Sequence, residues 1–144
     1  MKTTRIFLIS LLFVMGLLMP SCQQNPEKQA AYKALIITGQ NNHSCEKSTP
    51  ILKEILDNTG LFATYIAKTP AAGEDMSGFK PVFTDYDVVV LDYTGDAWPE
   101  ETNENFLNYV KNGGGVVVYH AADNAFPEWE EFNKIIGLGG WGNR

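Results

Sequence analysis

Short apolar runs alternate with amphipathic segments along the chain from residue 33 onward. Three runs are apolar at every position, at residues 34–37, 88–91 and 116–119. A fourth run, at 61–66, is mostly apolar and follows Gly60. A strand with one face in water alternates apolar and polar residues, whereas a continuous apolar run is typical of a strand buried on both faces of a parallel sheet. The pattern therefore predicts four strands of a parallel sheet.

Three further segments carry apolar residues at helical spacing. The first is predicted to begin at Ser48 or Thr49, either of which can cap a helix, with Pro50 in its first turn, and to end at Gly60. Its predicted apolar stripe consists of Ile51, Leu52, Ile55 and Leu56. The other two helices are predicted at about 99–112 and 127–136, and residues 69–83, rich in glycine and proline, are predicted to form a loop. Alternating strands and helices predict an α/β fold, with a parallel sheet covered by helices on both faces.

The N-terminal segment is predicted to be a targeting signal and not part of the fold. Lys2 and Arg5 precede an apolar stretch at 6–19 that is too short to span a membrane comfortably, and a small residue, Ser21, precedes Cys22. This arrangement resembles the lipobox of bacterial lipoproteins. The resemblance implies a signal peptide at 1–21, a lipid on Cys22, and a protein exported to the periplasmic or cell-surface face of a membrane. Cleavage near Ser21 by ordinary signal peptidase is the alternative. Residues 22–32 are expected to form a flexible tether and 33–144 the α/β domain.

Composition and charge narrow the range of partners. The 144 residues are 44% hydrophobic and 19% charged, which fits a globular domain, and the formal net charge is −6. Lys2 and Arg5 lie before Cys22, so the rest of the chain is more acidic still. An acidic surface without a basic stripe argues against a nucleic-acid partner and favours a neutral or cationic small molecule.

The two cysteines do not indicate a thiol enzyme. If Cys22 carries a lipid, Cys45 is left without a disulfide partner, and a Cys22–Cys45 disulfide is the competing interpretation. Cys45 precedes a predicted helix, where a thiolate would be stabilised, but no glycine-flanked nucleophile elbow surrounds it. A catalytic role for this thiol is therefore not expected.

His43 and His120 are the strongest candidates for chemistry. Both follow predicted strands, as does Asp92, and the carboxyl ends of parallel strands meet at one edge of a sheet. Histidine can act there as general acid, general base or metal ligand. The structural alternative is a histidine bonded to a backbone carbonyl and an aspartate that forms a turn or caps a helix. The spacing of these three residues is not diagnostic of a metal site, and none is predicted.

Several segments, in this order and spacing, resemble the ThuA-like (trehalose utilisation) family. They are residues 33–39 followed by His43, residues 86–91, the glycine run at 113–115 that leads through a strand to His120, and residues 139–144. The resemblance implies a flavodoxin-like fold similar to class I glutamine amidotransferases. It also implies that the family domain continues past residue 144, so that this chain is expected to be a truncated front part of the domain.

The resemblance further implies a role in the catabolism of a disaccharide or a 3-keto sugar. Amidotransferases carry a cysteine nucleophile where this chain has His120, so His120 is the expected acid/base group and His43 its assistant. Asn41, Asp92 and Trp141 are the expected sugar-binding residues, and no cofactor is expected. An enzyme of this kind would be a hydrolase or an isomerase without a cysteine nucleophile. A non-catalytic carbohydrate-binding lipoprotein and a metal-dependent hydrolase remain alternatives.

Overall fold

A computed structural model describes residues 30–137 and residue 139. The proposed signal peptide, Cys22 and Trp141 lie outside these residues. The described strands are β1 (Tyr32–Thr38), β2 (Phe62–Lys68), β3 (Val88–Leu91) and β4 (Gly115–Val118), and the helices are α1 (Cys45–Asn58), α2 (Glu100–Lys111) and α3 (Glu130–Ile136). Two 3₁₀ segments occupy Phe83–Asp85 and His120–Asn124. Within this part of the chain, no helix is long and apolar enough to cross a membrane.

The strands form an all-parallel sheet in the order β2-β1-β3-β4, as the apolar runs predicted. The central strands β1 and β3 are buried on both faces, and Ile36 and Val89 are fully inaccessible to solvent. Strand β4 lies at an edge of the described sheet, where Val117 is 48% exposed. The continuous apolar run predicted strand β4 correctly, but the burial of β4 on both faces that it also predicted is not found. Helix α1 packs on β1 and β2 and leaves Val117 of β4 exposed.

Helices cover both faces of the sheet, which confirms the predicted three-layer, flavodoxin-like arrangement. One face contributes Leu35, Ile37 and Val89 to a core that also contains Phe106 of α2 and Phe132 of α3. The opposite face carries α1. There the hydroxyl groups of Thr38 at the end of β1 and Thr49 in α1 are 2.8 Å apart.

The predicted start of α1 is wrong. The helix begins at Cys45, and the backbone oxygen of Ser44 accepts the N–H groups of Lys47 and Ser48 at 2.8 and 3.1 Å. Pro50 therefore lies inside the helix and not in its first turn. The hydroxyl groups of Ser48 and Thr49, which suggested a cap, instead bond across the domain to a buried carboxylate described below.

The apolar stripe of α1 is only half buried. Ile51 and Ile55 are 56% and 58% exposed, whereas Leu52 and Leu56 are partly buried. Thr49 is the buried position of this helix. The contact between α1 and the sheet therefore depends on polar side chains near the start of the helix as well as on leucines.

The last predicted helix is shorter than expected. Residues 120–124 form a separate 3₁₀ segment, one residue after β4, and α3 begins at Glu130 and not at 127. His120 is the first residue of this 3₁₀ segment.

Candidate functional site

The rings of His43 and His120 lie against each other at the carboxyl edge of the sheet. Their centroids are 4.6 Å apart and their planes are inclined by 33°. His43 belongs to the loop between β1 and α1, and His120 is the first residue after the end of β4 and its extended neighbour Tyr119. Both side chains are exposed. Sequence reasoning placed the two histidines at one edge, and the structure brings their rings into contact.

The backbone of His120 has an unusual conformation. Its φ angle is +47°, in the left-handed region that residues with a side chain rarely adopt. Such strained residues concentrate at functional sites, where the surrounding structure holds them. A sharp turn directly after a parallel strand presents the side chain above the sheet edge, which is the same device that exposes the nucleophile in elbow motifs.

Asp92, at the end of β3, is a buried carboxylate with an exposure of 1%. Its Oδ1 accepts a 3.0 Å hydrogen bond from the side-chain amide of Asn41. Its Oδ2 accepts hydrogen bonds of 2.7 and 2.8 Å from the hydroxyl groups of Ser48 and Thr49. These three donors replace the hydrogen bonds to water that the side chain loses on burial.

Asn41 connects this carboxylate to His43. Its Oδ1 accepts the backbone N–H of His43 at 2.9 Å, while its Nδ2 donates to Asp92. The loop before α1 is therefore fixed to the end of β3 through one side-chain amide. These contacts make Asn41 and Asp92 parts of the scaffold beneath the histidines, and direct binding of a sugar by either of them stays a prediction, as it does for Trp141.

The end of β3 also holds the loop of His120. The hydroxyl of Thr94 donates to the backbone oxygen of Ala121. Thr94 in turn donates its backbone N–H to the oxygen of Gln40 at 2.9 Å. Both histidine-bearing loops are thus tied to the segment that follows β3.

A cavity of about 570 Å³ opens beside His43. Residues 39–46, 71–72 and 94–96 line it, so the loops after β1, β2 and β3 each contribute a wall. Its volume suits a small molecule of the size of a sugar. Cys45 lies in this wall, half-buried and without a disulfide partner among residues 30–137 and 139.

Gln40 holds these walls together, a role that sequence reasoning missed. Its side chain is 94% buried, its Nε2 donates to the oxygen of Pro70 at 3.0 Å, and its Oε1 accepts the backbone N–H of Asp96 at 2.8 Å. Gly95 permits this approach, because a Cβ at that position would overlap the Gln40 side chain. The sequence offered no local signal, since the side-chain partners Pro70 and Asp96 lie on two other loops.

Tyr93 holds the loop after β3, which forms the third wall of the cavity. It is 1% exposed, and its hydroxyl donates a 2.6 Å hydrogen bond to the backbone oxygen of Asp96. Burial raises the pKa of this hydroxyl well above its usual range, and the charge of Asp96 acts in the same direction. The tyrosine stays neutral at ordinary pH and keeps the loop in place as a hydrogen-bond donor.

The described side chains do not form a metal centre of familiar composition. Across residues 30–137 and 139, no three side chains of His, Cys, Asp or Glu converge closely enough to hold an ion. The titratable side chains in the cavity wall are His43, Cys45, Glu46 and Asp96, and the ring of His120 lies against that of His43.

Residues 33–143 match the family model of ThuA, described as trehalose utilisation. The chain belongs to the ThuA family. The resemblance found in the sequence is thereby confirmed, and the match includes His43, Asp92 and His120. No curated protein matches the sequence.

Two crystal structures of ThuA-like proteins resemble the chain. One, from Parabacteroides merdae, is 59% identical with a TM-score of 0.76 over 78% of this chain. The other, from Bacteroides uniformis, is 25% identical with a TM-score of 0.57 over 76% of this chain. The chain spans 40% and 45% of the lengths of these two relatives.

Proposed function

We propose that this ThuA-family protein processes a sugar at the carboxyl edge of its sheet, with His120 and His43 as an acid/base pair. The observation that carries the proposal is the contact of the two imidazoles, with centroids 4.6 Å apart, where His43 lines a cavity of about 570 Å³. The left-handed backbone at His120 supports it, because strain of this kind is expensive unless a function requires it. The sugar class is taken from the trehalose-utilisation description of the family.

Two adjacent imidazoles suit a 3-keto sugar. One neutral imidazole removes the proton from the carbon between the ketone and the anomeric carbon, and the electron pair of that C–H bond forms an enolate. The enolate then expels the glycosidic oxygen from the anomeric carbon. The other imidazole, in its protonated form, delivers a proton to the leaving oxygen. Addition of water to the resulting double bond gives hydrolysis, whereas reprotonation of the enolate at carbon without bond cleavage gives isomerisation or epimerisation.

The charge and the cavity wall fit an uncharged substrate. The chain has a formal net charge of −6, which disfavours a polyanion. The wall is lined by Asn42, His43 and Ser44, and also by the acidic residues Glu46 and Asp96. Polar groups of this kind can orient sugar hydroxyls by hydrogen bonds.

The N-terminal segment extends the proposal to cell location. Lys2, Arg5, the apolar stretch at 6–19 and the Ser21–Cys22 pair support export and a lipid on Cys22. The sugar would then be processed outside the cytoplasm, at the surface of a membrane.

Product analysis tests the proposed reaction. Trehalose and its 3-keto derivative are incubated separately with the protein, and the products are followed by NMR. Cleavage or rearrangement of the keto sugar alone is the expected result. Binding of either sugar in a calorimeter without any new product, and retained when both histidines are replaced by alanine, would instead identify a carbohydrate-binding protein.

A further inference from the structure

A second cavity, of about 380 Å³, adjoins the first. Gly95, in the loop between β3 and α2, lines both cavities. Most of the residues that line the second cavity are apolar, among them Phe126, Pro127 and Trp129. Its polar groups come from Asn103 of α2 and from Glu128.

Both polar groups offer acceptors. The Oδ1 atom of Asn103 is buried and has no hydrogen-bond partner among residues 30–137 and 139. The Glu128 side chain is exposed and, when ionised, can only accept hydrogen bonds. An unpaired buried acceptor costs free energy, which a ligand with a donor would recover once the Asn103 amide turns toward the cavity. The cavity therefore suits a ligand that carries hydroxyl or other donor groups.

The aromatic side chains offer a rigid apolar surface. The ring of Trp129 is stacked on Phe132, with centroids 5.6 Å apart and planes inclined by 22°, and Trp129 remains partly exposed. Phe126 contacts Trp129 at 5.5 Å and has a φ angle of +50°. Rings held in this way present area for binding without loss of side-chain freedom.

We propose that this second cavity is a subsite for a neutral polyhydroxylated ring, the second sugar of a disaccharide whose first sugar lies beside His43. The assignment of the first sugar rests on the proposed function. An apolar ligand would leave Asn103 unpaired, and an anion would meet the charge of Glu128. A pyranose ring has both the C–H face that packs on an aromatic side chain and the hydroxyl donors that the two acceptors require.

An NMR titration tests the subsite without turnover. The isotope-labelled full chain is titrated with methyl α-glucoside, and the side-chain amide of Asn103 and the indole N–H of Trp129 are followed. Both signals are expected to shift. Loss of one neutral hydrogen bond in Asn103→Ala should weaken binding by about three- to tenfold. Asn105→Ala, an exposed position on the same helix, is the matched control and should bind as the wild type does.

Three results would overturn the subsite. These are no shift at either reporter, equal binding by Asn103→Ala and the control, and a larger response to tetramethylammonium than to the glucoside. Glu128→Gln, at an exposed position, provides a second variant that should weaken sugar binding if Asn103→Ala does not fold.

The subsite and the proposed function fail separately. If turnover does not depend on His120 while the glucoside still shifts Asn103, the acid/base assignment is wrong and the subsite stands. If turnover depends on His120 but the glucoside leaves Asn103 and Trp129 unchanged, the subsite is wrong and the acid/base assignment stands.

Discussion

The side-chain amide of Asn41 joins the buried carboxylate of Asp92 to the backbone of His43. One end of the amide donates to Asp92 at 3.0 Å and the other accepts from His43 at 2.9 Å. The position of an exposed histidine is thus set by a carboxylate that has an exposure of 1%. A polar support of this kind is what a site needs if an imidazole is to be held against its partner.

Removal of the Asp92 carboxylate should destabilise the fold and release His43. Asp92→Ala leaves the donors of Asn41, Ser48 and Thr49 without an acceptor, which should lower the free energy of unfolding by about 3 kcal/mol. Urea unfolding measures this change. Nuclear Overhauser effects between the rings of His43 and His120 should also weaken.

Asp85→Ala is the matched control for this prediction. Asp85 is exposed in the first 3₁₀ segment, and its replacement should change stability by no more than about 0.5 kcal/mol. Equal losses in the two variants would show that the bonds to Asp92 contribute nothing specific.

A methyl group at Gly95 should disturb the hydrogen bonds by which the Gln40 side chain joins the loops after β2 and β3. The added Cβ would overlap the Gln40 side chain, so Gly95→Ala should cost about 1–3 kcal/mol of stability and shift the amide signal of Asp96. Gly78→Ala adds the same methyl group where nothing lies within 4 Å and should be nearly neutral. Thermal unfolding of both variants distinguishes them. Similar melting temperatures would show that the close approach of Gln40 to Gly95 does not stabilise the fold.

Tyr93 should make the fold sensitive to alkaline pH. Its pKa is raised in the folded state, mainly by burial, so the unfolded chain loses this proton first. Titration of Tyr93 should therefore leave the free energy of unfolding unchanged below about pH 10. Above that pH, the free energy of unfolding should fall as the pH rises. Tyr93→Phe removes this contribution and should flatten the decline, as measured by urea unfolding at several pH values. An unchanged slope would mean that Tyr93 does not titrate differently in the folded and unfolded states.

The lipid on Cys22 is tested by metabolic labelling. The wild-type chain, expressed in a bacterium, should incorporate labelled palmitate and fractionate with membranes. Cys22→Ser should lose both properties, whereas Cys45→Ser, which changes the other cysteine, should keep them. Labelling that persists in Cys22→Ser would rule out the proposed anchor.

The sequence predicted the sheet because its signal is local. The apolar runs at 34–37 and 88–91 identify strands without reference to any other part of the chain, and the parallel arrangement then places His43 and His120 at one edge. The start of α1 was missed because Ser48 and Thr49 have the side chains of capping residues but use them on Asp92, far away in sequence. The hydrogen bonds of the Gln40 side chain were missed for the same reason. Pro70 and Asp96, which they reach, lie on loops whose positions are defined only in the folded chain.

The steady-state kinetics of His120→Ala on a 3-keto-disaccharide test the central claim most directly. If His120 is the acid/base group, kcat/KM should fall by about 100-fold or more, because positioned proton transfer contributes a factor of that size. His43→Ala should show a smaller loss, and Lys134→Gln, an exposed change on α3, should show none. Turnover that is unchanged in His120→Ala, or absent from the wild-type protein, would contradict the account.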